Sequence, residues 1–150
     1  MAKRQDKTDA FKSQLAALHA STPENLRLAS LSENRMSGFA AYFILVLPLL
    51  DFQGQPVFTD PLMEELFLAL DHKFGGCLLP SASSHPPYWG SWHPEQIAKT
   101  EKDYVTTIQI FANPIEATNR FFSGLKQILK TAGNVVQEEI LIARFDCFLI

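Results

Sequence analysis

The sequence predicts an α+β domain in which two helices cover one face of an antiparallel sheet. An apolar run over residues 40–49 is typical of a strand that is buried on both faces. Two segments, which begin near Pro61 and Pro114, carry apolar residues at helical spacing. Stretches at 102–112 and 138–149 have the alternation of strands. With one more strand expected after the first helix, the order is strand, helix, strand, strand, helix, strand.

The first predicted strand is apolar at both odd and even positions. Since successive side chains of a strand point to opposite faces, both faces of this strand need a cover. One face carries Tyr42, Ile44 and Val46, and the other carries Phe43, Leu45 and Leu47. The strand is therefore expected to be buried on both sides of the sheet.

The first helix of the domain is predicted to begin with Asp60 as its cap and Pro61 at the first helical position. Leucine and phenylalanine side chains recur at helical spacing as far as Phe74. Gly75 follows, and it is placed to end the helix in a left-handed conformation.

The second helix has the fullest set of boundary signals. Asn113 is the expected cap, Pro114 the first helical residue, and a glutamate follows three residues after the cap, which resembles a capping box. The apolar stripe includes Phe121 and Leu125, and Gly133 ends the helix. Phe121 and Leu125 are therefore expected in the core, between this helix and the sheet.

Two strands are expected between the helices and one after them. Residues 77–83 are predicted as a strand, which residues 88–93 either continue or follow as a second short strand. Residues 102–112 alternate clearly. The last strand, residues 138–149, has a mixed face that comprises Ile140, Ile142, Arg144, Asp146 and Phe148.

This order of elements is that of the ferredoxin-like βαββαβ fold, an antiparallel sheet with two helices on one face. Right-handed crossovers place the first and third strands at its centre. Residues 38–150 form the predicted domain, and residues 1–37 form an N-terminal arm. The arm begins with a short amphipathic helix over residues 1–20, with a narrow apolar stripe of Phe11, Leu15 and Leu18.

Two short motifs flank the predicted second strand. Phe74-Gly75-Gly76 lies at a helix end, and Gly90-Ser91-Trp92 follows more than a dozen residues later. Glu101 and Asp103 precede the next strand. In these motifs residues 40–150 resemble small uncharacterised bacterial proteins with a ferredoxin-like fold.

The chain departs from that pattern at two places. Cys77 stands where such proteins usually have threonine, and residues 86–89 are an insertion. Because these proteins share no established activity, the resemblance implies a fold and supplies no catalytic residue.

The composition is that of one globular domain, with 47% of the 150 residues hydrophobic and 19% charged. The net charge is −3; residues 1–36 carry six basic and four acidic groups, and the remainder carries seven and twelve. This acidic body argues against a nucleic-acid surface, which normally has an excess of Lys and Arg. The chain has no glycine-rich phosphate loop before a helix, and no cofactor is expected.

The longest apolar run, residues 39–50, is well short of the roughly 20 residues that span a bilayer, so no membrane partner is expected. No apolar segment follows the first basic residues, which argues against a secretory signal. Cys77 and Cys147 are expected to be buried thiols in a reducing cytoplasm, with a single bridge as the alternative. The predicted location is therefore cytoplasmic.

Four side chains are candidate metal ligands: His72, Cys77, His85 and His93. Their spacing differs from the closely paired ligands of structural zinc sites, so no metal site is expected. Cys77 follows a helix C-terminus, whose dipole raises the pKa of a thiol. Neither an activated cysteine nor another catalytic residue is predicted.

The predicted function is that of a non-enzymatic interaction or assembly module. A sheet with helices on one face leaves its other face open, and an apolar open face needs a cover. The expected result is a homo-oligomer or a subunit of a larger complex. The expected interface residues are Tyr42, Ile44, Ile140, Ile142 and Phe148.

An alternative function is a small-molecule-binding protein or enzyme. Aromatic side chains beside a histidine and a carboxylate can form a binding pocket with acid–base groups. The candidate residues are Tyr88, Trp92, His93 and Glu95. The competing explanation is that the aromatic residues cover the end of the core while the polar residues are solvated.

Overall fold

The computed structural model describes residues 2–28, 38–51, 53–79, 88–92, 101–133 and 140–149; for residues 2–4, 88–92 and 101–104 it describes only the backbone. In chain order the elements are α1 (Ala2–Ala20), β1 (Phe39–Pro48), α2 (Asp60–Phe74), β2 (Tyr88–Trp92), β3 (Glu101–Ala112), α3 (Glu116–Gly133) and β4 (Leu141–Phe148). The predicted α+β class is confirmed.

The strands form one sheet in the order β2-β3-β1-β4. Each neighbouring pair is antiparallel, and β1 is central because it pairs with β3 on one edge and β4 on the other. Phe43 of β1 lies opposite Ile110 of β3 and Arg144 of β4. Directly opposed residues share a face of the sheet, so this register assigns every paired position to one of two faces.

One face of β1 packs against the helices. Phe43, Leu45 and Leu47 are buried on this side. The ring of Phe43 stacks on Phe122 of α3 with centroids 4.0 Å apart. Phe74, the last residue of α2, stacks on the same Phe122 ring at 5.1 Å. The core therefore lies between the sheet and the pair formed by α2 and α3.

The start of α2 lies one residue earlier than expected, and its end lies where it was expected. Thr59, in extended conformation, is the residue before the helix, and Asp60 already lies in the first turn. Asp60 is therefore not the cap, although its carboxylate suits the positive end of the helix dipole. Gly75 adopts φ 81°, and its N–H donates to the carbonyl of Asp71 at 2.7 Å. The predicted left-handed end of the helix is confirmed.

The predicted capping box of α3 is wrong, because the helix begins at Glu116. The N–H of Asn113 donates to the carbonyl of Leu26 at 3.0 Å. The Asn113 carbonyl accepts the hydroxyl of Thr118 at 2.7 Å. A contact with the segment after α1 thus holds Asn113 outside the helix, and the first turn starts three residues later.

The strand expected at 77–83 is reduced, among the described residues, to one bridge between Leu78 and Gln109. The first pair of β2 joins Tyr88 to Val105. Leu78 and Tyr88 are ten positions apart, whereas their partners on β3, Gln109 and Val105, are only four positions apart. β2 is therefore a separate short strand and does not continue the bridge in the same register.

The predicted N-terminal helix is present as α1, and it packs against α2 and α3. Phe11 and Leu15 are buried in the common core. Lys12 of α1 forms a 3.6 Å ion pair with Glu65 of α2. Leu18 approaches Gly124 of α3 so closely that a Cβ at Gly124 would lie 2.6 Å from it. α1 therefore extends the helical side of the molecule.

Leu125 tests the assignment of the core. Leu125 is fully buried on α3, so Leu125→Ala should lower the free energy of unfolding by about 2–5 kcal/mol, from lost burial and the cavity left behind. Denaturant unfolding measures the loss. Leu68→Ala, at a position 63% exposed on α2, is the matched control and should change stability by less than about 0.5 kcal/mol. Equal losses for the two variants would contradict the packing of α3.

Candidate interaction surface

The second face of the sheet is turned away from α2 and α3, and we call it the open face. The register of β1 with its two neighbours defines its members. Its central members are Tyr42, Ile44 and Val46 on β1, Thr107, Gln109 and Phe111 on β3, and Leu141, Ala143 and Phe145 on β4. None of these nine side chains is charged.

An aromatic row crosses the open face. Tyr42 lies opposite Phe111 on one side and Phe145 on the other. The ring centroids of Tyr42 and Phe111 are 4.9 Å apart, and those of Tyr42 and Phe145 are 6.3 Å apart. Phe111 is 37% exposed and Phe145 is 53% exposed. These rings stabilise the strand pairing and still present a broad apolar surface.

The rest of the open face is also weakly polar. Ile44 lies between Gln109 and Ala143, and the next row sets Val46 beside Leu141. Leu141 is 55% exposed. Among the described side chains, α1 contributes no cover here, because its contacts are with α2 and α3. The open face is therefore an apolar surface that the described part of the chain leaves accessible.

The expected interface residues divide between the two faces. Tyr42 and Ile44 lie on the open face as expected, but Ile142 pairs with Leu45 and so lies on the helix side. Ile140 is only 1% exposed, within the core. Phe148 pairs with Phe39, which also belongs to the helix-side set. The expected grouping is wrong for these three residues, because both faces of β4 are apolar and only the register separates them.

The charged residues of β4 lie on the helix side of the sheet. Arg144 bonds to Asp146 at 2.8 Å and donates to the side-chain oxygen of Asn119 on α3 at 2.7 Å. Its guanidinium carbon lies 6.0 Å from the Phe43 ring centroid. These contacts keep both charges away from the open face. The open-face residues that the expected interface set omitted are Phe111, Leu141 and Phe145, whose alternation was visible in the sequence but whose register was not.

The alternative small-molecule site falls mostly beyond the described side chains. Tyr88 and Trp92 occupy the ends of β2, where they pair with Val105 and Glu101. His93 and Glu95 lie outside the described residues. This site stays a prediction.

Lys73 is a buried cation that the sequence pattern did not single out. It lies in the last turn of α2 with no exposed surface. Its Nζ donates to the carbonyls of His19 at 3.1 Å and Pro23 at 2.6 Å. Nζ also lies 5.7 Å from the ring centroid of Phe121. Burial lowers the pKa of Lys73, while the negative charge of Glu24 acts in the opposite direction.

This lysine connects three parts of the helical side. His19 lies at the end of α1, Pro23 follows it, and the Lys73 carbonyl accepts the N–H of Leu26 at 3.1 Å. The ammonium group therefore lies at the C-terminus of α1, whose partial negative charge favours a cation there. The contact fixes the segment after α1 against the end of α2.

Replacing Lys73 with methionine should lower the free energy of unfolding by about 1–3 kcal/mol, because the Pro23 and His19 carbonyls lose a buried donor. Thermal or denaturant unfolding measures this. Lys12→Met, at an exposed lysine of α1, is the control and should stay within about 0.5 kcal/mol of the parent. If Lys73→Met is as stable as the parent, the buried ammonium does not hold these carbonyls.

Both cysteines are free and half-buried, in place of the fully buried thiols that were expected. Burial raises the pKa of Cys77 to about 11, with further contributions from the charge of Asp71 and a 3.8 Å hydrogen bond to its carboxylate. A thiol in these surroundings is a poor nucleophile at neutral pH. In the described part of the chain, no three His, Cys, Asp or Glu side chains come together as a metal site.

The alkylation rate of Cys77 should therefore rise steeply with pH up to about 11, because only the thiolate reacts. A Cys147→Ala background isolates this thiol. Asp71→Asn removes the neighbouring charge and should speed alkylation at pH 8 severalfold. A half-maximal rate at a pH below 9.0, the ordinary pKa of a thiol, would contradict the described surroundings of Cys77.

In comparisons with known proteins, no family model, no curated protein and no solved structure matched the chain. Across the part of the chain that the structure describes, no helix is both long and apolar enough to cross a membrane.

Proposed function

We propose that this chain is a non-enzymatic assembly module that pairs with a second copy of itself through the open face. The observation that supports the proposal most directly is the exposed aromatic row of Phe111, Tyr42 and Phe145. Aromatic side chains dominate the energy of interfaces, and apolar patches of this kind on soluble proteins are usually covered by a partner.

The size of the open face is adequate for such pairing. The three strands that carry the open face, β1, β3 and β4, are 10, 12 and 8 residues long, so at the usual rise and strand spacing they cover on the order of 500 Å². Two stacked copies would then bury on the order of 1,000 Å², the lower end of the range for specific interfaces. The pairing is therefore expected to be of modest strength.

The chemistry of the open face favours a second copy over a charged partner. A twofold interface places the same patch on both subunits, so any charge within it is buried twice, and near the symmetry axis it meets its own copy. The nine open-face side chains carry no charge. The centre of an interface is typically depleted in charged residues and enriched in aromatic ones, which is the composition found here.

Stacking of faces is favoured over pairing of edges. β4 forms one edge of the sheet. Its helix-side charges, Arg144 and Asp146, are the kind of inward-pointing residues that natural sheets use to block edge-to-edge pairing. The open-face side of the same strand offers only apolar side chains.

The same proposal includes a ferredoxin-like arrangement for the domain. The strand order β2-β3-β1-β4, with α2 after β1 and α3 after β3, supports it. Such an arrangement places both helices on one face. The second face then remains available for assembly.

Sedimentation of the 16.8 kDa chain between about 1 and 100 µM tests the proposal. The parent should reach dimer mass, and Phe145→Glu should weaken association at least about tenfold, because two buried like charges would face each other. Leu68→Glu places the same charge on an exposed leucine of α2 and should leave association unchanged. A monomeric parent across this range would refute the proposal, and so would equal effects of the two variants.

A further inference from the structure

We propose that the end of α1 is held by a pH-sensitive latch, in which the rings of His19 and His72 pack together beside the buried ammonium group of Lys73. In this proposal the His19 ring is neutral when α1 is docked, and acidification favours release of α1 from α2 and α3. The proposal is independent of self-association, because these groups lie on the helices while the open face belongs to the sheet.

The geometry of the latch joins two helix ends. His19 lies one residue before the end of α1, and His72 lies in the last turn of α2. Their rings meet edge to face with centroids 4.6 Å apart. Lys73 donates to the backbone carbonyl of the same His19 at 3.1 Å. A ring contact and a buried hydrogen bond therefore act at a single residue of α1.

Part of the boundary between α1 and α3 is an open groove. Leu18 contacts Gly124 closely. Beside that contact lies a groove of about 480 Å³, lined on the α1 side by Gln14, Ala17, Leu18 and Ser21. Contacts with α2 also hold this end of α1, and the latch lies within them.

The charged groups around His19 oppose its protonation. From α2 it faces His72 and Lys73, and from the segment after α1 it faces Glu24. Burial lowers the pKa of His19, the Lys73 and His72 charges lower it further, and Glu24 partly offsets them. Farther along the same interface, Lys12 of α1 and Glu65 of α2 form a 3.6 Å ion pair.

The lowered pKa of His19 determines how docking of α1 depends on pH. A base whose pKa is lower in the docked state binds fewer protons there than when α1 is released. Docking is therefore fully stabilised above the ordinary histidine pKa of 6.5, and the stabilisation is lost as the pH falls through the lowered value. A protonated His19 ring would then stand beside the Lys73 ammonium, and these like charges repel.

Release of α1 would change the surface of the helical side. Phe11 and Leu15 are both buried when α1 is docked. Undocking would expose these side chains together with the surfaces of α2 and α3 that they cover. Acid pH would thus present a second apolar surface, separate from the open face.

Amide hydrogen exchange of the full chain tests this latch between about pH 7.5 and 5.5, with each rate corrected for intrinsic exchange. Exchange in the second half of α1 should quicken on the order of threefold or more on acidification, while β1 amides stay protected. If the exchange rates in α1 do not change with pH, there is no pH effect and the proposal is overturned. If β1 loses protection in parallel with α1, the whole domain is unfolding, which also overturns the proposal.

Two substitutions of the exposed His72 distinguish the latch from a general loss of stability in acid. His72→Gln should reduce the pH dependence, and His72→Lys should quicken α1 exchange already at about pH 7.5 by supplying a permanent charge. Lys12→Ala removes an exposed ion pair of the same helix interface and leaves both histidines in place, so it should leave the pH dependence of α1 exchange unchanged. An unchanged pH profile in His72→Gln would overturn the proposal.

Discussion

The pairing of β1 along both of its edges is the constraint on which the other features depend. Because the side-chain period of a strand is two, a slip of one residue would exchange the faces of the whole strand. Phe43 would then leave its stack on Phe122, and Tyr42 would enter the helix side. The core between the sheet and the helices fixes the register, and the register in turn places the aromatic row on the open face. Folding and the proposed assembly surface thus depend on the same alternation.

Much of the fold follows from local sequence. The apolar residues at odd and even positions of β1 predicted a strand that needs a cover on each face, and Gly75 predicted the end of α2, since glycine adopts a left-handed conformation without steric cost. Asn113 shows where local rules fail. Its sequence context is that of a cap, yet a backbone bond to Leu26 holds it outside α3. A contact between segments distant in the chain cannot be read from a window of a few residues.

The sequence predicted that the candidate surface would be apolar, but it predicted only some of the residues that form it. Alternation divides β4 into two sets, and it does not say which set faces the helices when both are apolar. Ile142 pairs with Leu45 and therefore lies on the helix side, so the open face of β4 carries Leu141 and Phe145 instead. Lys73 was not predictable at all, because a lysine near a helix end is normally solvated and only the arrival of α1 buries it.

The burial of Lys73 also gives the chain an internal reporter. Amine-reactive reagents attack the unprotonated form of accessible lysines, and this lysine has no accessible surface while its Nζ is bound to the His19 and Pro23 carbonyls. Exposed amines such as Lys12 will be acylated first in the folded protein. Acylation of Lys73 would require the end of α1 to move aside, and the added group would then prevent its return. Covalent modification at this position would therefore trap the opened helix, which converts a transient motion into a stable product.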